Sequence, residues 1–489
     1  MCYYSQCKQL YKDKHKQNNR TIWYDKFQFI GVIFMNDFDL VIENAAILTM
    51  DDDETIIKNG TIGVKNGIIT LVGKPASDVR CHAGKRIDAK GMIALPGFVN
   101  THVHCFQSLL KGLGADRPLI GWLNSSVQPF GIRVTPRLQK LATLVACLEA
   151  LKGGCTTLCE FFYTNQDPEL ADVCIETMQK TGIRSVFMRT FQDFGKEYNV
   201  PDCYIEPVEK AIEEVERLRR IPCSDEMLSI WTGPDVTWAT TRNGYEAILE
   251  YCLDRKVRYT MHLNETPEDN DMCRRNYGRN IVDLLDEIGF LTDQFLAVHC
   301  VYLTQSEIRI LAERGVSISH NPAANLYLGS GIAPIPDCLR AGMNVSLGTD
   351  GAASNNTTDM LDTMRLAALI HKGICRDATA MSAKKVARMA TKGGAKALGM
   401  ENIIGTLEVG KKADIILFDP ERIRSVPMHD PIASLAYSAS AENIDTTIVN
   451  GEVVYCKGAF SCGIDEVQLA RQVASEMQKN GMLHCSLYS

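Results

Sequence analysis

Eight times between residues 93 and 351 a short, apolar, β-prone run gives way to a helical pattern. The runs are IALPGFVNTHVH, CTTLCEFF, RSVFMRTF, LSIWTGPD, VRYTMHLNE, FLAVHCVYL, VSISHNP and NVSLGTDG. Strict strand–helix alternation is the order of a parallel sheet, and eight repeats are what closes such a sheet into a (β/α)8 barrel with helices outside. The intervening helices carry their own punctuation. PRLQKLATLVACLEALKGG opens on Pro136 and stops at Gly153 and Gly154, and YIEPVEKAIEEVERLRR and TQSEIRILAERG space their apolar residues helically. Past the eighth run, DMLDTMRLAALIHKG and SAKKVARMATKGGAKALGM read as further helices.

A different texture frames this region. From Leu40 to Ile93, short β-rich runs alternate with turn residues, and Asn66-Gly67 inside TIGVKNGIITLVG is a strong hairpin signal. The texture returns only in KKADIILFD and DTTIVNGEVVYCKGAF. Both chain ends are therefore expected to build one small β-sandwich, from residues 35–94 and 406–460, around a barrel of residues 95–405, with a helical tail over 461–489. Residues 1–34 are polar and basic up to a short apolar stretch, Phe27 to Phe34, too short to span a bilayer and without a cleavage site of the secretory type. They read as an upstream extension or disordered arm, with Met35 as the native start.

With 489 residues, 45% of them hydrophobic, the chain can bury one large core and a smaller second one. A formal charge of −7 gives no electrostatic footprint for nucleic acid or an anionic membrane, so a small-molecule substrate is expected. The 18 cysteines are scattered through strands and helices with no Cys-x-x-Cys pair, which argues for reduced thiols in a cytoplasmic protein and against a thiolate zinc cluster.

The ends of the runs carry the chemistry. Alternate side chains of a strand share a face, so His102 and His104 present both imidazoles to one side. Barrel active sites form where strands end, and His102 and His104 end the first, His262 the fifth, His299 the sixth and Asp350 the eighth. A histidine at one strand end can simply pack or hydrogen-bond; five groups converging on one end favour a metal centre. His102, His104, His262 and Asp350 are the expected ligands of a single divalent cation, Zn2+ first and Fe2+ second, with one position open for water. Glu265, in HLNE just after His262, is placed to shuttle protons. His299 is either a further ligand or the group that orients the attacking water, and the second role is favoured because LSIWTGPD offers no lysine to bridge two metals. Catalysis thus falls on Glu265, His299 and Asp350. His15, His82, His371, His429 and His484 are weaker candidates, and His320, ending the seventh run, is open to a pocket or a structural role.

PGFVNTHVHCFQSLLKG, HLNE, AVHCVY, NPAANLYLGSGIAP, LGTDGAASNN and GTLEVGKKADIILFD together resemble the amidohydrolase superfamily, in the branch of methylthioadenosine/S-adenosylhomocysteine deaminases and s-triazine hydrolases such as melamine deaminase and atrazine chlorohydrolase. The resemblance runs from Met35 to about Phe460. It implies a (β/α)8 barrel with a flanking β-sandwich, one zinc or iron on His102, His104, His262 and Asp350, and the catalytic pair Glu265 and His299. It further implies hydrolysis of a leaving group, usually ammonia, from an aromatic N-heterocycle, in an enzyme that is commonly a homo-oligomer.

Two departures bear on substrate. Nucleoside deaminases of this branch typically carry a glutamate soon after the tryptophan-leucine that follows strand one, where this chain reads WLNSSVQPFG, and a histidine after the proline ending strand four, where it has Asp235. FMRTFQDFG, HCVY and NLYLGSG look closer to the triazine enzymes, in which the position near Ser354 tunes the leaving group. Gln107, Trp122, Arg189, Asp235, Ser330 and Ser354 are the expected substrate contacts. The leading expectation is an aminohydrolase acting on a purine, pyrimidine or triazine. Its rivals are a chlorohydrolase or cyclic-amide hydrolase with the same metal site, and a metal-free scaffold.

Overall fold

The computed structural model describes residues 37–73, 82–223 and 226–482. All of these but Asp37 and His82 belong to one compact unit. The extension expected over 1–34 lies outside the described residues, as do His15 and His484.

Eight parallel strands pair in sequence order: β6 (Phe98–Val103), β7 (Cys155–Phe162), β8 (Arg184–Phe191), β9 (Leu228–Pro234), β10 (Tyr259–Leu263), β11 (Phe295–His299), β12 (Ser317–His320) and β13 (Asn344–Leu347). Between β13 and β6 the closure is made by side chains. Asn100 Nδ2 donates to Thr349 Oγ1 at 2.8 Å, and Thr101 Oγ1 donates to the Leu347 carbonyl at 3.0 Å. At the strands' C-terminal end the Asp350 N–H donates to the His102 carbonyl at 2.9 Å, so the first and last strands are tied where the candidate ligands sit.

A separate, largely antiparallel sheet joins both chain ends: β1 (Asp37–Leu48), β2 (Ile56–Lys65), β3 (Ile68–Gly73), β4 (His82–Asp88) and β5 (Ile93–Pro96) with β14 (Ile415–Phe418), β15 (Ile444–Val449), β16 (Glu452–Cys456) and β17 (Ala459–Phe460). Asn66 and Gly67 take φ of 51° and 72° and close the β2–β3 hairpin with a two-residue turn, the left-handed pair that Asn-Gly accepts at least cost. A small core including Ile42, Ile47, Ile62, Ile415 and Ile448 lies in this sheet, apart from the large core of the barrel.

The run read as one strand, IALPGFVNTHVH, is two. Ile93–Pro96 pairs with β14, Gly97 donates to the Asp414 carbonyl at 3.0 Å, and Phe98 then joins the barrel. Gly97 is the crossing point because a Cβ there would lie 2.2 Å from the Thr156 side chain. A second joint is ionic: Arg184 of β8 reaches Asp414 through Nε at 2.9 Å and Nη2 at 2.8 Å, both groups buried.

The helix Pro136–Lys152 starts where its proline predicts, with Thr135 accepting from Leu138 N at 3.3 Å, and stops at Gly153; the last helix is Glu466–Lys479. No helix among the described residues is long and apolar enough to cross a membrane, and buried barrel cysteines such as Cys147, Cys159 and Cys300 are free thiols.

Candidate metal centre and active site

His102, His104, Asp350, His262 and His299 meet at the C-terminal mouth of the barrel. Ligand atoms of His102, His104 and Asp350 lie within 4.8 Å of one another, and so do those of His102, His262 and His299. Backbone carbonyls fix two of the rings: His104 Nδ1 donates to Phe161 O at 2.7 Å and His262 Nδ1 to Asp235 O at 2.8 Å, leaving Nε2 as the nitrogen each ring can offer to a cation. Neither ring nitrogen of His102 has a hydrogen-bond partner although the residue is wholly buried. A buried imidazole left this way costs free energy unless it meets a cation. His102 Nε2 and His104 Nε2 stand 3.5 and 3.4 Å from Asp350 Oδ1, close to the edge of about 3.4 Å in a tetrahedron of ~2.1 Å metal bonds. The donor set and its spacing therefore fit a zinc-like ion.

Electrostatics prepare the same groups. Burial pushes His104 down to about 3 and His102 and His299 to about 4, so all three are neutral donors at physiological pH. For His262 burial opposes charge, but the Asp235 carboxylate, backed by Glu265 and Asp350, outweighs it and raises the ring to about 9. Burial would raise Asp350 as well; the surrounding His102, His104 and His299 instead hold it far below the usual carboxylate range. Strain marks the junctions: Asn264, His299, Cys300 and Asp350 sit at φ of 49°, 71°, 54° and 62°, a region non-glycine residues seldom occupy.

Glu265 is wedged among these groups. Its Oε2 is 3.6 Å from His299 Nε2 and its Oε1 accepts from Ser330 Oγ at 3.2 Å. Burial, then repulsion from Asp350, push it up to about 8, so it can hold a proton and release it near neutrality. Its backbone N–H donates to Asp269 at 2.8 Å, and Asp269 also closes the capping box of the helix Pro267–Tyr277. His299 Nδ1 donates to Asn325 Oδ1 at 2.8 Å, which leaves Nε2 an acceptor.

A cavity of about 750 Å³, counting its solvent-open mouth, sits over the cluster and is lined by His104, His262, Glu265, His299 and Asp350. Of the residues expected to touch substrate, Gln107, Trp122 and Asp235 line it. Ser330 instead binds Glu265. Arg189 points elsewhere: its guanidinium is buried against Glu206 and the Thr190 carbonyl and borders a separate hollow with Lys210 and Arg217. Ser354 is buried with its hydroxyl on the Gly351 carbonyl, 3.0 Å away, and is not among the residues lining the cavity. His320 and His371 face each other with Nε2 atoms 3.0 Å apart, buried and outside the cavity lining. Tyr163, Gln192, Tyr204 and Trp238 line the cavity and were not anticipated. A positional signal existed for Tyr163 and Gln192, each of which, like Asp235, is the first residue beyond a barrel strand.

A profile described as the amidohydrolase family matches residues 93–454. The chain belongs to the amidohydrolase family. A 5-methylthioadenosine/S-adenosylhomocysteine deaminase from Syntrophobacter fumaroxidans is 34% identical to this amidohydrolase over 433 residues, 88% of this chain and 96% of its own. An adenosine deaminase from Xanthomonas campestris, solved with bound zinc, superposes with a TM-score of 0.85 at 28% identity, covering 92% of this chain and all of its own. A mutant atrazine chlorohydrolase from Arthrobacter aurescens TC1, complexed with zinc and atraton, gives 0.83 at 29% identity over 89% and 99%. A metal-binding site is thus part of this amidohydrolase.

Proposed function

We propose that this amidohydrolase is a metal-dependent aminohydrolase releasing ammonia from an amino-substituted purine, pyrimidine or s-triazine, with one ion per subunit held by His102, His104, His262 and Asp350. The observation that carries the proposal is Glu265, a buried carboxyl 3.6 Å from His299 Nε2 inside the cavity that the ligand cluster floors. Bound there, a divalent cation supplies Lewis acidity and lowers the pKa of a coordinated water to about 7. Glu265 takes a proton from the attacking water and passes it to a ring nitrogen; as the added hydroxyl becomes a carbonyl and the C–N bond to the amino group breaks, Glu265 relays the hydroxyl's proton to the amine, which leaves as ammonia. His299, with Nδ1–H committed to Asn325, accepts from the water through Nε2 and aligns it on the ring carbon. Gln107, Trp122 and Asp235 border the space for the ring.

Zinc is the ion we assign, on the strength of the zinc-bound neighbours, with iron as the alternative that elemental analysis separates. We also assign the β-sandwich to 35–94 and 406–460, the barrel to 95–405 and a helical tail to 461–489, in a cytoplasmic homo-oligomer; limited proteolysis and light scattering test these. The deciding experiment is ammonia release by the metal-loaded enzyme across aminopurines, their nucleosides, aminopyrimidines and aminotriazines. Glu265→Gln should abolish release while retaining metal; loss of metal in that variant would overturn the proton-shuttle role. A chlorohydrolase reading stays in view because Trp122, Leu123 and Gln128, from a stretch without a carboxylate, line the cavity and a chlorohydrolase is among the structural neighbours. Chloride release without ammonia would select it.

A further inference from the structure

Asp235, Glu265, Asp269 and Asp350 all line the cavity, whereas no lysine or arginine is among the described residues that do. Glu265 as the protonated acid adds no charge, and a divalent ion at the histidines would offset two of the other three. An anionic substituent drawn into this space therefore sheds its hydration and meets no counter-charge, which is the costly way to bury an ion. Part of the border is apolar: Leu119 and Leu123, both half-buried, with Trp122, Val200, Trp238 and Leu328.

The amides of the wall are spent on fixed neighbours within the protein. Gln107 spends its amide N–H on Tyr163 Oη at 3.0 Å, and Gln192 donates its own to Asp235, a group that when ionised only accepts. Both Oε1 atoms remain, buried and unpartnered, as do the Trp122 indole N–H and the Tyr204 and Thr237 hydroxyls.

We propose that the substrate is a neutral or cationic heterocycle with uncharged substituents, free of carboxylate and phosphate. This rests on the aminohydrolase reading and sharpens it. The two compounds in the name of the Syntrophobacter relative separate under it. 5-Methylthioadenosine ends in an uncharged thioether, and S-adenosylhomocysteine ends in an amino acid with its carboxylate; the chain should accept the first and reject the second.

The test uses the metal-loaded enzyme on two matched pairs, methylthioadenosine with S-adenosylhomocysteine and adenosine with adenosine 5′-monophosphate. kcat/KM is measured for each, and affinity for the metal-loaded Glu265→Gln variant by calorimetry. The expected result is at least a hundredfold preference for the uncharged member of each pair, in turnover and in binding. Turnover or affinity for a carboxylate or phosphate compound within tenfold of its partner overturns the inference. Absence of ammonia from every compound would instead defeat the aminohydrolase reading. The isotherms still decide the charge rule in that event: selective binding of the uncharged members supports it, and equal binding or none defeats it.

Discussion

Asn325→Ala isolates the role of His299 without touching a ligand candidate. The amide oxygen of Asn325 is the partner of His299 Nδ1, 2.8 Å away, and both residues are about 1% exposed. Removing it leaves a buried imidazole N–H unsatisfied, worth about 1–3 kcal/mol, and frees the ring to rotate. If that energy holds Nε2 on the attacking water, kcat falls by about 5- to 150-fold at ~1.4 kcal/mol per decade. This agrees with the ~10–100-fold usual for partners of metal-site imidazoles. KM should move little. Because Asn325 supports only the acceptor, metal content should equal that of the wild type. The assay is steady-state kinetics with elemental analysis and a circular-dichroism melt on the same preparation. Wild-type kcat would refute the orienting role. Metal loss in step with kcat would make His299 a ligand, as the alternative trio His102, His262 and His299 allows.

Asp350→Asn should weaken metal retention and turnover together, read by dialysis against chelator followed by kinetics; retained metal with normal kcat would contradict its place among the ligands. Arg184→Met breaks the buried bridge to Asp414 and should cost about 3–5 kcal/mol in denaturant unfolding, whereas Arg184→Met with Asp414→Leu should recover much of it. Burial holds His371 down at about 4. Below the ordinary pKa of about 6.5 the unfolded chain binds a proton that the folded ring refuses, so stability falls from pH ~6.5 to ~4, by up to about 3 kcal/mol from this group. His371→Phe should lower the acid-unfolding midpoint; an unchanged midpoint would place the sensitivity elsewhere.

Strand positions were legible because a parallel barrel strand is buried on both faces and reads as an uninterrupted apolar run, and because each run stops at a polar residue the barrel mouth can use. The same logic pointed to His102, His104, His262, His299, Asp350 and Glu265, which the fold brings together at the barrel mouth. It joined β5 to β6, since Pro96-Gly97 looks like an irregularity within one run, and only the Asp414 carbonyl and the Thr156 side chain make it a crossing between two sheets. It misdirected Arg189, whose strand-end position is right but whose partner, Glu206, lies in a loop no periodicity describes. It gave Ser330 a substrate when its hydroxyl belongs to Glu265.

The sequence by itself determined what depends on local period and residue chemistry: eight strands alternating with helices, a hairpin at Asn66-Gly67, and candidate ligands whose donor types suit a zinc-like ion. Tertiary structure alone decided what depends on groups far apart in the chain. The carbonyls of Phe161 and Asp235 choose the ring nitrogens that His104 and His262 offer, Asn325 makes His299 an acceptor, and Trp122, Gln192 and Trp238 line the cavity from separate segments. Backbone periodicity repeats every two or 3.6 residues and can be read along the chain; the tautomer of a ring and the charge of a cavity are set by whichever atoms folding brings within about 3 Å.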